Sequence, residues 1–204
     1  MKLLAPGTRP AVVKNLLQFV QDYDLDGLDI DLEWEVMTAI DTAGEYVPFT
    51  QELSDGLKKQ HKLLTCATAS NPGGMVPLGS VPYFDYINVM SYDSVGTSPQ
   101  GVIYGPPGGE HASMDMARHD MQVWLDLGVP KERLVLGVPF YGKAFGAYKG
   151  VFHDYRDLLT QYGPATAEND LIDKPCPTCS YITYNGRPTV RAKAQLRRSR
   201  APAS

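Results

Sequence analysis

DYDLDGLDIDLE, residues 22–33, fits two chemical templates at once. Counted from Asp22, with acids at Asp24 and Asp26, Gly27 sixth and Glu33 twelfth, it satisfies the calcium-loop pattern D-x-[DN]-x-[DN]-G-x5-E. Counted from Asp26, it reads D-G-x-D-x-D-x-E. From Leu28 onward apolar and acidic residues alternate strictly, which is the period of a β-strand: Leu28, Ile30 and Leu32 take one face, Asp29, Asp31 and Glu33 the other. A calcium loop wants an apolar residue near its eighth position, where Asp29 stands, and a partner loop, which this sequence lacks. It also wants an exiting helix, and the residues between Glu33 and the stretch Asp41–Gly44 build no convincing one. An exposed edge strand with a solvated acidic face is the other plain reading, and the uniformly apolar opposite face speaks against it. Carboxyls roughly 7 Å apart along one strand face repel. That favours keeping a proton among them, the condition for a glutamic acid to act as a donor.

Working outward, TRPAVVKNLLQFVQDY carries Val13, Leu16, Leu17 and Val20 at helical spacing, with Thr8 as N-cap and Pro10 in the first turn. Phe49, Leu53 and Leu57 mark a second helix over about Glu45 to His61, weakened by Gly56. LLTCATAS (63–70) and FDYINVMSYD (84–93) read as strands, SMDMARHDMQVWLDLG (113–128) as a helix ended by Gly128, and LVLGVPFYGKAF (134–145) as a fourth strand. Residues 146–186 look turn-rich apart from a helical stretch at Tyr155 to Tyr162, and 188–196 begin one more helix. Strand and helix therefore alternate, and polar residues inside strands favour a barrel whose strand ends line a site, so an α/β class with a parallel TIM-type sheet is expected. Trp124 and Tyr148 are expected in the core.

With 204 residues, 43% hydrophobic and 21% charged, the composition is that of a soluble globular chain. It has no apolar run long enough to span a membrane, and MKLLAPGTRP is too short in apolar residues for a signal peptide. The net charge of −4 conceals an asymmetry: residues 187–204 hold six basic residues and no acid, and the remaining body holds 13 basic against 23 acidic. An acidic body argues against nucleic acid as partner. The tail RRSRAPAS (197–204) reads as a disordered end. Cys66, within LLTCATA, is a buried small residue in this reading, and Cys176 and Cys179 in CPTC are either a local loop staple or two idle thiols, with no second ligand pair for zinc.

Three ordered motifs carry a family resemblance. DGLDIDLE resembles the signature on the fourth barrel strand of glycoside hydrolase family 18, the chitinases and related endo-β-N-acetylglucosaminidases. MSYD (90–93) resembles that family's M-x-Y-D at the end of the sixth strand, and GVPFYGKAF (137–145) its seventh strand. The resemblance implies a retaining, substrate-assisted hydrolysis of β-1,4 bonds between N-acetylglucosamine units, as in chitin, without metal or cofactor. In its terms Glu33 is the acid/base, Asp31 orients the acetamido group, Asp29 shares a proton with Asp31, and Tyr92 hydrogen-bonds the acetamido group. Met90, Asp93, Tyr141, Ala67, Lys143 and Trp34 are the implied substrate contacts. Lys143 stands where many members carry arginine, which keeps the charge and loses the planar fork. Peptidoglycan and the chitobiose core of N-glycans are the other substrates the family admits. Secretion is expected on the same ground, and the chain, if folded, is expected to be a monomer.

The resemblance covers about strands four to seven, so residues 1–186 are expected to form a partial barrel with a turn-rich insertion at about 146–186, and 187–204 the start of a last helix and the basic tail. A closed barrel needs at least about 200 to 250 residues. The chain thus reads as a fragment, with low or no activity alone, and a weakly sugar-binding, inactive chitinase-like fragment is the alternative. Calcium titration separates the two templates of the opening stretch. Tyrosine and tryptophan fluorescence should show no saturable change at micromolar metal if Asp29 and Glu33 belong to a strand and its end.

Overall fold

A two-residue period organises the first sheet. The structure, a computed structural model, describes residues 4–97, 103–106, 108–148 and 152–196. The chain divides into two compact units, Met1–Val89 with Val123–Val135 and Met90–Gln122 with Leu136–Ser204. In the first unit β1 (Gly27–Ile30), β2 (Leu63–Thr68) and β3 (Tyr86–Val89) pair in parallel, with Asp29 opposite Thr65 and Ala67 opposite Asn88. Ile30, Leu64, Cys66, Ile87 and Val89 are buried on one face, while Asp29, Thr65, Ala67 and Asn88 fall on the other. The expected parallel α/β sheet with alternating helices is therefore present.

Helices α1 (Arg9–Asp22), α2 (Trp34–Thr42) and α3 (Tyr46–Lys59) belong to the same unit. Val13 and Val20 of α1 and Phe49, Leu53 and Leu57 of α3 are buried, the stripes that their spacing predicts. Arg9 binds Glu45 at 2.6 Å and Glu52 at 2.7 Å, tying the start of α1 to α3. Gly56, a weak residue for a helix interior, has a packing reason: a Cβ there would lie 2.3 Å from a methyl of Leu17, so its absence lets α1 and α3 approach. Thr8 does not cap α1 through its side chain; its hydroxyl donates to the Ala5 carbonyl at 3.2 Å instead.

Helix α2 corrects the reading of the segment after Glu33, where no convincing helix was expected. Met37 and Ile40 bury one side of WEVMTAIDT, a pattern only nine residues long. An exiting helix therefore does follow the acidic stretch, as a calcium loop would also require. The strand reading rests instead on the parallel pairing of β1 with β2.

In the order of the chain follow β4 (Gly96–Thr97), β5 (Ile103–Tyr104), α4 (Met114–Asp126) and β6 (Leu134–Leu136), which neighbours β3 in the first sheet. Trp124, on α4, is fully buried, as expected of a core residue. The stretch expected as one strand over 134–145 is two: after β6 the chain passes Pro139, which cannot donate to a ladder, and β7 (Tyr141–Phe145) joins a different sheet.

That second sheet, in the second unit, corrects the turn-rich reading of 146–186. It has the order β8-β7-β10-β9, with β8 (Phe152–Asp154), β9 (Leu171–Ile172) and β10 (Tyr181–Thr183) antiparallel to their neighbours. Helix α5 (Tyr155–Tyr162) contributes Leu158 to a cluster with Ala144, Ile182 and Tyr184, against which Tyr148 packs. Val95, Phe145 and Tyr181 form a second cluster, with the Phe145 and Tyr181 rings stacked at 4.6 Å. Helix α6 (Arg187–Leu196) is the expected further helix; the basic tail 197–204 lies outside the described residues. Cys176 and Cys179 are joined as a disulfide, the loop staple of the two alternatives, and Cys66 is buried. No described helix is long and apolar enough to cross a membrane.

Gly27 starts the acid-bearing strand, and a Cβ there would sit 2.1 Å from the Leu63 carbonyl oxygen, its parallel partner. Gly27→Ala should lower stability by about 2 kcal/mol through this overpacking, read as a lower urea midpoint with an unchanged slope.

Candidate active site

Two clusters of polar side chains coincide with the residues singled out above, one in each unit. In the first unit Asp29 is exposed on the polar face of the sheet, and its Oδ1 accepts hydrogen bonds from the Thr65 hydroxyl and from Asn88 Nδ2 at 2.9 Å. Strand β2 thus supplies Asp29 with its partner in register, Thr65, and β3 supplies Asn88 from the position opposite Ala67. Ala67, half-buried, lies on the same face opposite Asn88.

The chain stays extended past the end of β1. Asp31 is exposed, Glu33 is half-buried with φ −113° and ψ 155°, and the Glu33 carbonyl accepts the first amides of α2, from Val36 and Met37. Trp34 then reverses the chain with φ +47°, a left-handed conformation that is strained for so bulky a side chain. The residue is 48% exposed and, with Glu35, Thr38, Ala39 and Gly73, lines an open hollow of about 560 Å³. The glycine at 74 gives the ring room, since a Cβ there would stand 3.0 Å from it.

In the second unit the residues after β3 build a cluster around Asp93. Met90 and Tyr92 are half-buried, and Asp93 takes a left-handed φ of +60°. Its Oδ1 accepts a hydrogen bond from the Tyr141 hydroxyl at 2.8 Å and lies 3.1 Å from Lys143 Nζ and 3.3 Å from His111 Nδ1. Lys143 is only 2% exposed; its ammonium also donates to the Tyr104 hydroxyl at 3.0 Å and stands over the Tyr104 and Tyr141 rings at 5.7 and 5.9 Å. The rings of Tyr92 and Tyr141 meet edge-on at 6.4 Å.

Electrostatics in this cluster follow from geometry. Burial alone would push the Asp93 carboxyl up, but the hydrogen bonds from His111 and Tyr141 and the charge of Lys143 outweigh it and hold the carboxyl below its ordinary value. Burial pushes the His111 imidazole down, against the pull of Asp93 and with help from Lys143 and Lys193, so the ring is neutral at pH 7. The Tyr141 hydroxyl is pushed far up, first by burial and then by the neighbouring Asp93 charge, and stays a donor.

The structure thus gathers Met90, Tyr92, Asp93, Tyr141 and Lys143 within one unit and Asp29, Asp31, Glu33, Trp34 and Ala67 within the other. Sequence reasoning missed Thr65 and Asn88, the partners of Asp29, and His111 and Tyr104, the partners of Asp93 and Lys143. Strand period could have found the first two, because Asn88 shares the alternate positions of Met90 and Tyr92. His111 stands alone in a loop rich in Gly and Pro, where spacing carries no signal.

Comparisons with known proteins agree with the motifs. The family model described as Glycosyl hydrolases family 18 matches residues 2–198. "Probable chitinase 2" of Drosophila melanogaster is 30% identical over 185 residues, covering 86% of this chain and 38% of its own length. "Chitinase 1" of Aphanocladium album is 29% identical, covering 81% and 42%. The crystal structure of the GH18 chitinase ChiB from Flavobacterium johnsoniae superposes with a TM-score of 0.79 at 36% identity, covering 96% of this chain and 58% of that one. The chain spans less than half the length of these two curated relatives.

Asp93→Asn leaves the Lys143 ammonium buried without its counter-charge. A fully buried pair broken in this way costs about 3–5 kcal/mol, and with the Asp93 side chain 36% exposed about 2 kcal/mol is expected at pH 7. The Asp93 carboxyl ordinarily titrates at 3.8 and lower in the fold, so its stabilisation is complete above that pH and lost as pH falls through the folded value. Urea denaturation should therefore show the gap between wild type and variant closing below about pH 3.8.

Proposed function

The chain belongs to the glycosyl hydrolases family 18, and on that premise we propose that it cleaves β-1,4 bonds between N-acetylglucosamine units, with chitin as substrate and retention at the anomeric carbon. Glu33 donates a proton to the glycosidic oxygen as the bond to the anomeric carbon breaks. The acetamido oxygen of the same sugar attacks that carbon and closes an oxazolinium ion. Glu33, now a carboxylate, removes a proton from water as it opens the ring. Asp31 holds the acetamido N–H and offsets the positive charge that develops there, an electrostatic role, and Asp29 backs Asp31. Tyr92 donates to the acetamido group, Asp93 and Tyr141 bind sugar hydroxyls, Trp34 offers its half-exposed ring to a sugar face, Met90 and Ala67 form part of the wall, and Lys143, itself buried, acts through Asp93.

The observation that carries this reading is the position of the carboxyls. Asp31 and Glu33 follow the C-terminal end of the parallel strand β1, the end at which barrels of this class hold their chemistry. Secretion belongs to the same proposal, and the Cys176–Cys179 disulfide supports it, because such bonds persist in oxidising compartments.

A second reading, sugar binding without turnover, draws support from exposure. Asp29 is open to water on its sheet face, and a wet site weakens the electrostatic stabilisation on which the chemistry depends. A chromogenic N-acetylglucosamine oligomer separates the two. Turnover should fall at least about 100-fold in Glu33→Gln while affinity for the oligomer, measured by calorimetry, is kept. Binding with no turnover in the wild type supports the second reading; turnover that Glu33→Gln leaves intact would falsify the first.

A further inference from the structure

The Asp93 cluster contains a residue that none of the motifs points to. His111 is fully buried, and the backbone around it is held on both sides. Its amide donates to the Thr183 hydroxyl on β10 at 3.2 Å. The next carbonyl, of Ala112, accepts from Asn185 Nδ2 and from Lys193 Nζ, both at 2.9 Å, and Lys193 in turn holds Asn185 Oδ1 at 2.9 Å. Lys193, on α6, is 2% exposed. Three buried side chains thus hold the backbone at His111 and Ala112, a fully satisfied polar network of the kind that rigidifies the loop it binds.

What that side chain reaches is Oδ1 of Asp93. A carboxylate only accepts, so the imidazole presents Nδ1–H to it, and Nε2 is the unprotonated nitrogen, buried without a partner among the described residues. His111, Tyr141 and Lys143 all converge on Oδ1, and among the described residues Oδ2 takes none of these contacts. Three donors on one oxygen fix the plane of the carboxylate and leave the other oxygen to accept from outside.

We infer that His111 is a positioning residue: its Nδ1–H, on a loop whose backbone is held by Thr183, Asn185 and Lys193, orients Asp93 so that Oδ2 is the acceptor offered to a hydroxyl or acetamido N–H of the bound sugar. The last part rests on the function proposed above; the orientation of Asp93 does not. The charged and titratable groups facing His111 are Asp93, Tyr141, Lys143 and Lys193. Of these only Asp93 draws a proton toward the ring, and burial with the two lysines keeps it neutral.

The test compares His111→Leu with His111→Asn. The asparagine amide places an N–H where Nδ1 stands, and leucine removes it. Carbon-13 titration of the Asp93 carboxyl should move upward by about one pH unit in His111→Leu and return to within about 0.3 of wild type in His111→Asn, a pattern that a merely structural role would not produce. The acidic limb of oligomer binding against pH should shift by the same amount. In the wild type, nitrogen-15 shifts of His111 should report the Nδ1–H tautomer at pH 7. The opposite tautomer, an Asp93 titration indifferent to leucine, or no rescue by asparagine in a folded variant overturns the inference, and the tautomer measurement decides it should the leucine variant fail to fold. An Asp93 shift without any sugar binding keeps the orientation of Asp93 and sinks the functional reading instead.

Discussion

Side chains on a strand point alternately to opposite faces, and the first unit depends on that single geometric fact. Leu64, Cys66, Ile87 and Val89 can be buried only because Thr65, Ala67 and Asn88 are turned away from them. The same rule applied to β1 sends Ile30 inward and Asp29 outward, to the face that carries Thr65 and Asn88. A slip of one residue in β1 would bury a carboxylate among aliphatic groups and expose the isoleucine, so hydrophobic burial fixes where the acids stand. The site face is what remains after the core has been satisfied.

The second unit works under an electrostatic constraint. Lys143 and Lys193 are both almost without exposure, and a buried ammonium is tolerated only with partners. Lys143 has Asp93 and the Tyr104 hydroxyl; Lys193 has the Ala112 carbonyl and Asn185. Burial still lowers the Lys193 ammonium to about 8, with Asp170, Asp120 and Glu110 opposing the shift. The small antiparallel sheet supplies the rigidity that these arrangements need: Lys143 on β7 and Thr183 on β10 are partners in register, so the cation and the acceptor of the His111 amide move together.

How much of this was legible in the sequence depends on length. Strand β1 declares itself by alternation, β2 and β3 by short runs rich in apolar, β-branched and aromatic residues, and α1 and α3 because each presents several turns of apolar spacing. Helix α2 has two buried residues in nine, too few for a stripe to stand out beside an acidic segment. The strands of the second sheet have two to five residues, and their pairing is decided by partners distant in the chain, which no local pattern encodes. Asp29, Asp31, Glu33, Ala67, Met90, Tyr92 and Asp93 sit on or just past β1–β3, whereas Tyr141 and Lys143, on the short strand β7, are legible only through the motif resemblance. His111 and Tyr104 come from loops or two-residue strands, where only the folded chain brings them to Asp93 and Lys143.

Trp34 holds a conflict between two kinds of fitness. Its backbone is left-handed, a conformation that glycine or asparagine adopts at little cost and an aromatic residue resists. Its ring is half out in water beside an open hollow, so little burial offsets that resistance. Selection for thermal stability alone would drift this position toward glycine and erase the aromatic surface beside Glu33. Keeping tryptophan there makes the turn after the acid strand a place where gains in stability and retention of the ring run in opposite directions, which marks it as the position to leave untouched when the chain is engineered for robustness.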